Sequence, residues 1–100
     1  MIGQNKTTKE KQIVLDRDLS VMNGLYHKQM LLDSLEGSDR LAINMENVSD
    51  CDSSGVQLLL ALRKTALLNN QNVRLQSVPR VVFDAVSNYG IKLKELFNIE

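Results

Sequence analysis

The chemistry-bearing side chains of this sequence crowd into one six-residue stretch, Asp50-Cys51-Asp52-Ser53-Ser54-Gly55. It contains nucleophiles, carboxylates and a glycine, so several chemistries must be weighed. Ser53 as a catalytic nucleophile needs a base to take its proton. The single histidine, His27, is remote in sequence. A Cys51–His27 nucleophile pair needs those two residues to meet in space, and nothing in the spacing brings them together. Asp50 and Asp52 are oxygen ligands of the kind Mg²⁺ takes. A receiver-type site also needs an acid after the first strand and a basic residue at a later strand end, and neither is evident. One Cys and one His cannot build a zinc site. No metal or cofactor is expected, and enzymatic activity is not expected.

A different reading follows from the stretch lying where a loop enters a helix. The first N–H groups of a helix lack internal partners, and that end carries roughly half a positive charge. The plain role of Asp52, Ser53 and Ser54 is therefore to cap the helix, a contribution of about 1 kcal/mol. Two features exceed that role. There are two adjacent hydroxyls where one cap suffices. No Lys or Arg lies between Arg40 and Arg63, while Glu46, Asp50 and Asp52 do. A phosphate on Ser53, bringing about −1.5 to −2 charges, would find no local arginine clamp and would stay displayed at the surface. Displayed charge acts on an interface.

The elements that position this stretch follow from apolar spacing. One hundred residues, 43% hydrophobic and 24% charged, make one domain. Residues 1–11 read as a polar leader or a weak edge strand, and 12–100 as the domain. Ile13-Val14-Leu15 is a short strand signal. Met22, Leu25, Leu32 and Leu35 recur at near-helical intervals, with Ser20 as cap and Gly37 as stop. Leu41–Met45 reads as a buried strand. Val56–Leu68 is the strongest helix, with Val56, Leu59, Leu60 and Leu67 as core candidates. Val73–Gln76 is a third strand. Pro79 opens a helix that stops at Gly90, with Ser77 as a cap one position early, and Ile91–Phe97 forms a last short helix. Strands alternating with helices imply right-handed crossovers and a mostly parallel sheet. On the Leu-rich helix, Gln57, Ala61, Lys64 and Leu68 share one face. That face is either plain solvent surface or a flat docking stripe beside Ser53. His27 reads as an exposed surface histidine. Cys51 reads as a small packing residue whose thiol pKa the flanking acids raise.

Charge and composition exclude other classes. Twelve basic and twelve acidic residues cancel, and four aromatics are too few to stack bases, so nucleic acid is not the expected partner. The longest apolar run, Leu58–Leu62, is too short to span a bilayer, and no direct membrane contact is expected. One cysteine and no signal peptide suggest the cytoplasm.

The segment from Ile43 to Gly55, followed by Val56-Gln57-Leu58-Leu59, resembles the STAS domain, shared by sulfate transporters and anti-sigma factor antagonists. Val73-Arg74-Leu75-Gln76, the Pro-started helix and Tyr89-Gly90-Ile91 leading to Leu96-Phe97 also match its order, over roughly residues 12 to 99. The resemblance implies a four- to five-stranded, mostly parallel α/β sheet with about four helices on one side. It implies an anti-sigma factor antagonist-like switch. In that branch a serine kinase that is also the anti-sigma factor phosphorylates the first hydroxyl after the Asp, here Ser53, and a phosphatase resets it. Asp52 and Ser54 would flank the acceptor, and Gly55 would let a partner backbone approach. The post-strand stretch Arg17-Asp18-Leu19-Ser20 adds Asp18 and Ser20 to the partner-binding residues Gln57, Ala61 and Lys64. Ser20 and Val56-Gln57-Leu58-Leu59 are similar to the STAS proteins encoded beside chemotaxis genes, and Ser20 also to the small subunit of a lipid-trafficking ABC transporter. The alternative function is thus an unphosphorylated subunit docked on such an ABC ATPase or on a chemotaxis signalling complex. A monomer or weak homodimer of a bacterial protein is expected.

Overall fold

The computed structural model describes residues 10–100. The leader assigned to the first residues falls largely outside them. Four strands form one parallel sheet in sequential order: β1 (Glu10–Val14), β2 (Arg40–Asn44), β3 (Asn72–Gln76) and β4 (Asn98–Ile99). Between them run α1 (Gly24–Leu35), α2 (Ser53–Leu68), α3 (Arg80–Ser87) and α4 (Leu93–Leu96). Sequential parallel strands joined by right-handed crossovers carry their helices on the same face. The fold is α/β, as anticipated.

Alternation along the strands shows which face is covered. Leu41, Ile43, Val73 and Leu75 are buried beneath the helices. The register aligns Ile13, Ile43, Leu75 and Ile99 in one row across the sheet. The other face carries Glu10, Gln12, Arg74, Gln76 and Glu100. There Arg74 binds Glu10 at 2.7 Å and also Glu100, whose second oxygen accepts from Gln76 at 3.0 Å. That lattice joins β1 to β3 and to the C-terminal residue, and beneath it Ala42 is fully buried.

Several sequence-based expectations change. β1 begins at Glu10, so Glu10 and Lys11 belong to the sheet rather than to a leader. α1 is preceded by a 3-10 turn, Val21–Asn23, and Ser20 makes no side-chain cap. Its buried face is His27, Leu31, Ser34 and Leu35, whereas Met22, Leu25 and Leu32 are exposed. The Leu spacing marked a helix, but of its four residues only Leu35 lies on the buried face. His27 is not a surface residue: it is completely buried. In α2 the core residues are Gly55, Val56, Leu59, Leu62 and Ala66, and Leu67 faces solvent. Ser77 does not cap α3. It adopts a left-handed φ of 52° at the end of β3, and Pro79 takes the cap position. The segment after Gly90 contains one helical turn and then β4, a strand of two residues that carries too little periodicity to be read.

Candidate functional site

Two loops at the carboxyl ends of β1 and β2 build the head of α2. Leu19 and Cys51 form an isolated parallel bridge that extends the sheet locally. The Leu19 N–H donates to the Asp50 carbonyl at 3.0 Å, and the Asp52 N–H donates to the Leu19 carbonyl at 2.9 Å. Two carboxylates tie the loops further. Asp18 Oδ1 accepts from the Ser49 N–H at 2.7 Å, the Ser49 hydroxyl at 3.0 Å and the Asp50 N–H at 3.1 Å. Asp52 Oδ1 caps α2 by accepting from the Gly55 N–H at 3.1 Å, while Oδ2 accepts from the Val21 N–H at 2.9 Å. These donors hold both acids below the usual carboxylate range, Ser49 leading for Asp18 and Val21 leading for Asp52. Both oxygens of Asp52 and Oδ1 of Asp18 are thus engaged within the chain, so these acids shape the site.

Gly55 also turns inward. It is buried, and a Cβ built there would lie 2.3 Å from the Leu19 carbonyl oxygen, 2.8 Å from Leu19 Cβ and 3.0 Å from Cys51 Sγ. The missing side chain lets α2 approach its own neighbouring loop, which corrects the expectation of a partner backbone at this position. Cys51 is buried, and its thiol is pushed up to about 11, first by burial and then by Asp52 and Asp50. It packs, as anticipated, and is not an activated nucleophile.

With the cap supplied by Asp52, Ser53 is left over. It is the first residue of α2, it is exposed, and its hydroxyl has no hydrogen-bond partner among the described residues. It opens on a cleft of about 500 Å³ between α2 and α3, lined by Asp52, Val56, Asp84, Asn88 and Tyr89 among others. No Lys or Arg lines that cleft among the described residues. α3 brings one cation near the cleft, Arg80, which is exposed and already pairs with Asp84 at 3.6 Å. Ser54 is half-buried and faces the opposite side of α2, lining a groove toward α1 together with Gln57 and Ala61. Gln57, Ala61, Lys64 and Leu68 form an exposed stripe. Ser20 is half-buried and accepts from Asn23 Nδ2 at 3.4 Å.

A family model described as "Mlab, STAS domain" matches residues 3–95. The chain belongs to the STAS domain family. No curated protein matches it. STAS domains are in general regulatory rather than catalytic, which agrees with a site of capped backbone and displayed hydroxyl. No helix among the described residues is long and apolar enough to cross a membrane.

His27 makes no hydrogen bond to Ser53 or to Cys51 among the described residues, and the Cys51 thiol is directed to the Asp52 carbonyl instead. Neither ring nitrogen has a hydrogen-bond partner among the described residues, and the ring stands edge-on to Tyr26 at 5.5 Å. Burial lowers its pKa, opposed by the nearby Asp16.

The sequence reading missed an apolar ledge beside the site. Val21, Met22 and Leu25 are exposed by 69%, 90% and 81%, immediately before and within the first turn of α1. The signal was present in Ser20-Val21-Met22-Asn23-Gly24-Leu25, three large apolar residues at a helix entry. Met22 and Leu25 entered that reading only as evidence of helical spacing, with no face assigned to them.

Proposed function

We propose that this STAS domain is a protein-docking switch of the anti-sigma factor antagonist kind, controlled by phosphorylation of Ser53. One observation carries the reading. Asp52 already caps α2, leaving the Ser53 hydroxyl exposed and, among the described residues, unbonded beside a cleft that holds Asp52 and Asp84 and no lining cation. In the neutral state, the partner packs on the first turns of α2, touching Ser53, Ser54, Gln57, Ala61 and Lys64. The partner kinase supplies a nucleoside triphosphate. The Ser53 oxygen attacks the γ-phosphorus and loses its proton, and the bond to the diphosphate leaving group breaks. A phosphatase reverses the state with water. The chain itself is substrate and ligand, not enzyme.

The mechanism is electrostatic. The α2 N-terminus stabilises an anion at Ser53, so the phosphorylated domain remains folded. The cleft beside Ser53 then carries added charge with no cation among its lining residues, the nearby Arg80 being paired already with Asp84 at 3.6 Å. Burying an unpaired dianion costs several kcal/mol, equivalent to a thousandfold or greater loss of affinity. Ser53→Ala is expected to hold its partner permanently, and Ser53→Asp to release it. Equal affinity of the two variants, measured by calorimetry against the purified partner, overturns the switch.

A second reading is favoured by the ledge of Val21, Met22 and Leu25, which needs no phosphate to bind. In it the domain is a constitutive subunit, docked on a lipid-transport ABC ATPase or a chemotaxis complex. Intact-protein mass spectrometry from native cells, with and without the kinase, separates the two: the switch requires a phosphorylated population, and the constitutive subunit has none.

A further inference from the structure

α1 and α2 lie side by side, and between them runs a groove of about 320 Å³. Leu31, Leu32, Leu58 and Leu62 contribute its apolar lining, and Ser54 stands at its head, next in sequence to Ser53. Gly24 closes one end and is the chain neighbour of Leu25, so the groove adjoins the exposed ledge of Val21, Met22 and Leu25. Apolar side chains scattered singly on a surface need no explanation, whereas a contiguous set beside a groove marks an interaction site. A groove between two helices has the shape that accepts a third, with anchors at i, i+4 and i+7.

Charge identifies the occupant. Among the described residues, Lys28 is the one charged side chain lining the groove, and it makes no ion pair there. A second copy of this chain packed through the same surface would bring its own Lys28 to a positive rim, a like-charge contact. A helix with an acidic side chain would complete Lys28 and cover the leucines. We infer that the α1–α2 groove receives an amphipathic, acidic helix of the partner protein. The inference rests on the docking function proposed above but not on phosphorylation. It also supplies a reason for release, because a phosphate at Ser53 adds negative charge near the head of a groove that selects an acidic ligand.

The test places a photo-crosslinking phenylalanine derivative at Leu25 of the full chain in native cells, with Asn72 as the control position. The crosslinked peptide is sequenced, and its parent protein is purified. The expected result is a crosslink from Leu25, and none from Asn72, to a segment with apolar i, i+4, i+7 spacing and an Asp or Glu. Lys28→Glu is then expected to weaken the purified complex about tenfold, in keeping with reversal of a partly exposed ion pair. Lysine at the partner's acid should restore it. Ala61→Arg, which fills the groove from an exposed position, should also weaken binding by tenfold or more. Unchanged urea midpoints confirm that both variants fold. Crosslinks to lipid, to a second copy or to nothing overturn the inference, as does unchanged affinity of both variants. If Ser53→Asp still releases the partner while Lys28→Glu and Ala61→Arg do not weaken it, docking at Ser53 stands, and neither the groove nor Ala61 belongs to its seat. If no variant affects any complex, the docking function falls as well.

Discussion

Replacing Gly55 with alanine reverses the usual sign of a helix substitution. Glycine inside a helix ordinarily costs about 0.5–1 kcal/mol relative to alanine, so Gly→Ala should stabilise. At Gly55 the added methyl would sit 2.3 Å from the Leu19 carbonyl oxygen, about 1 Å inside ordinary contact. Relief requires the loop and the helix to separate. That movement strains a packed region, at about 1–3 kcal/mol. It also stretches the 2.9 Å bond from the Asp52 N–H to the same carbonyl, worth about 1 kcal/mol. Set against the propensity gain, the net loss is about 1–3 kcal/mol. Urea denaturation followed by circular dichroism measures it, with an expected fall in midpoint of about 1–2 M. Gly24→Ala is the internal control. Gly24 is helical at φ −57°, and a Cβ there meets nothing within 4 Å, so this variant should gain up to about 1 kcal/mol. A Gly55→Ala protein as stable as the parent, alongside a Gly24→Ala control that behaves as stated, would refute the close approach of α2 to Leu19.

His27 provides a pH test. Its folded pKa lies below the ordinary 6.5 because it is buried, so the unfolded chain takes the proton first as pH falls. Stability is complete above about pH 6.5 and declines below it until the folded pKa is reached, by at most about 1.4 kcal/mol per pH unit. His27→Leu removes the titration and two unpartnered buried nitrogens, so its advantage over the parent should be larger at pH 5 than at pH 7.5 in paired urea titrations. An advantage independent of pH refutes the assignment, since this is the only histidine in the chain. Cys51, with its thiol raised from 9.0 to about 11, should carry about a hundredfold less thiolate than an unperturbed thiol. Native-state alkylation by iodoacetamide at pH 7.5 should therefore be at least that much slower than in urea, and labelling at the unfolded rate would refute its burial.

The head of α2 was legible in the sequence because its determinants are local. Asp52, Ser53, Ser54 and Gly55 sit within one helical turn of a long Leu-rich helix, and capping depends on backbone a few residues away. The same locality made Cys51 readable, since its two acidic neighbours are adjacent in the chain. The strand–helix alternation emerged from apolar spacing. Right-handed crossovers then constrained the topology.

What the chain by itself determined was the order of the elements, the parallel sheet and the place where a hydroxyl meets a helix N-terminus. Only the tertiary structure decided which faces turn inward. Histidine is read from sequence as polar, yet His27 is buried in α1 while Met22 and Leu25 face out, because burial depends on where α2 and the sheet meet that helix. Only the folded chain could show that Gly55 serves Leu19, and that Asp18 and Asp52 bind partners 31 residues away. A spacing rule reports that a helix has a face. Contacts between segments distant in sequence choose its direction, and those contacts leave Ser53 at the surface and Cys51 beneath it.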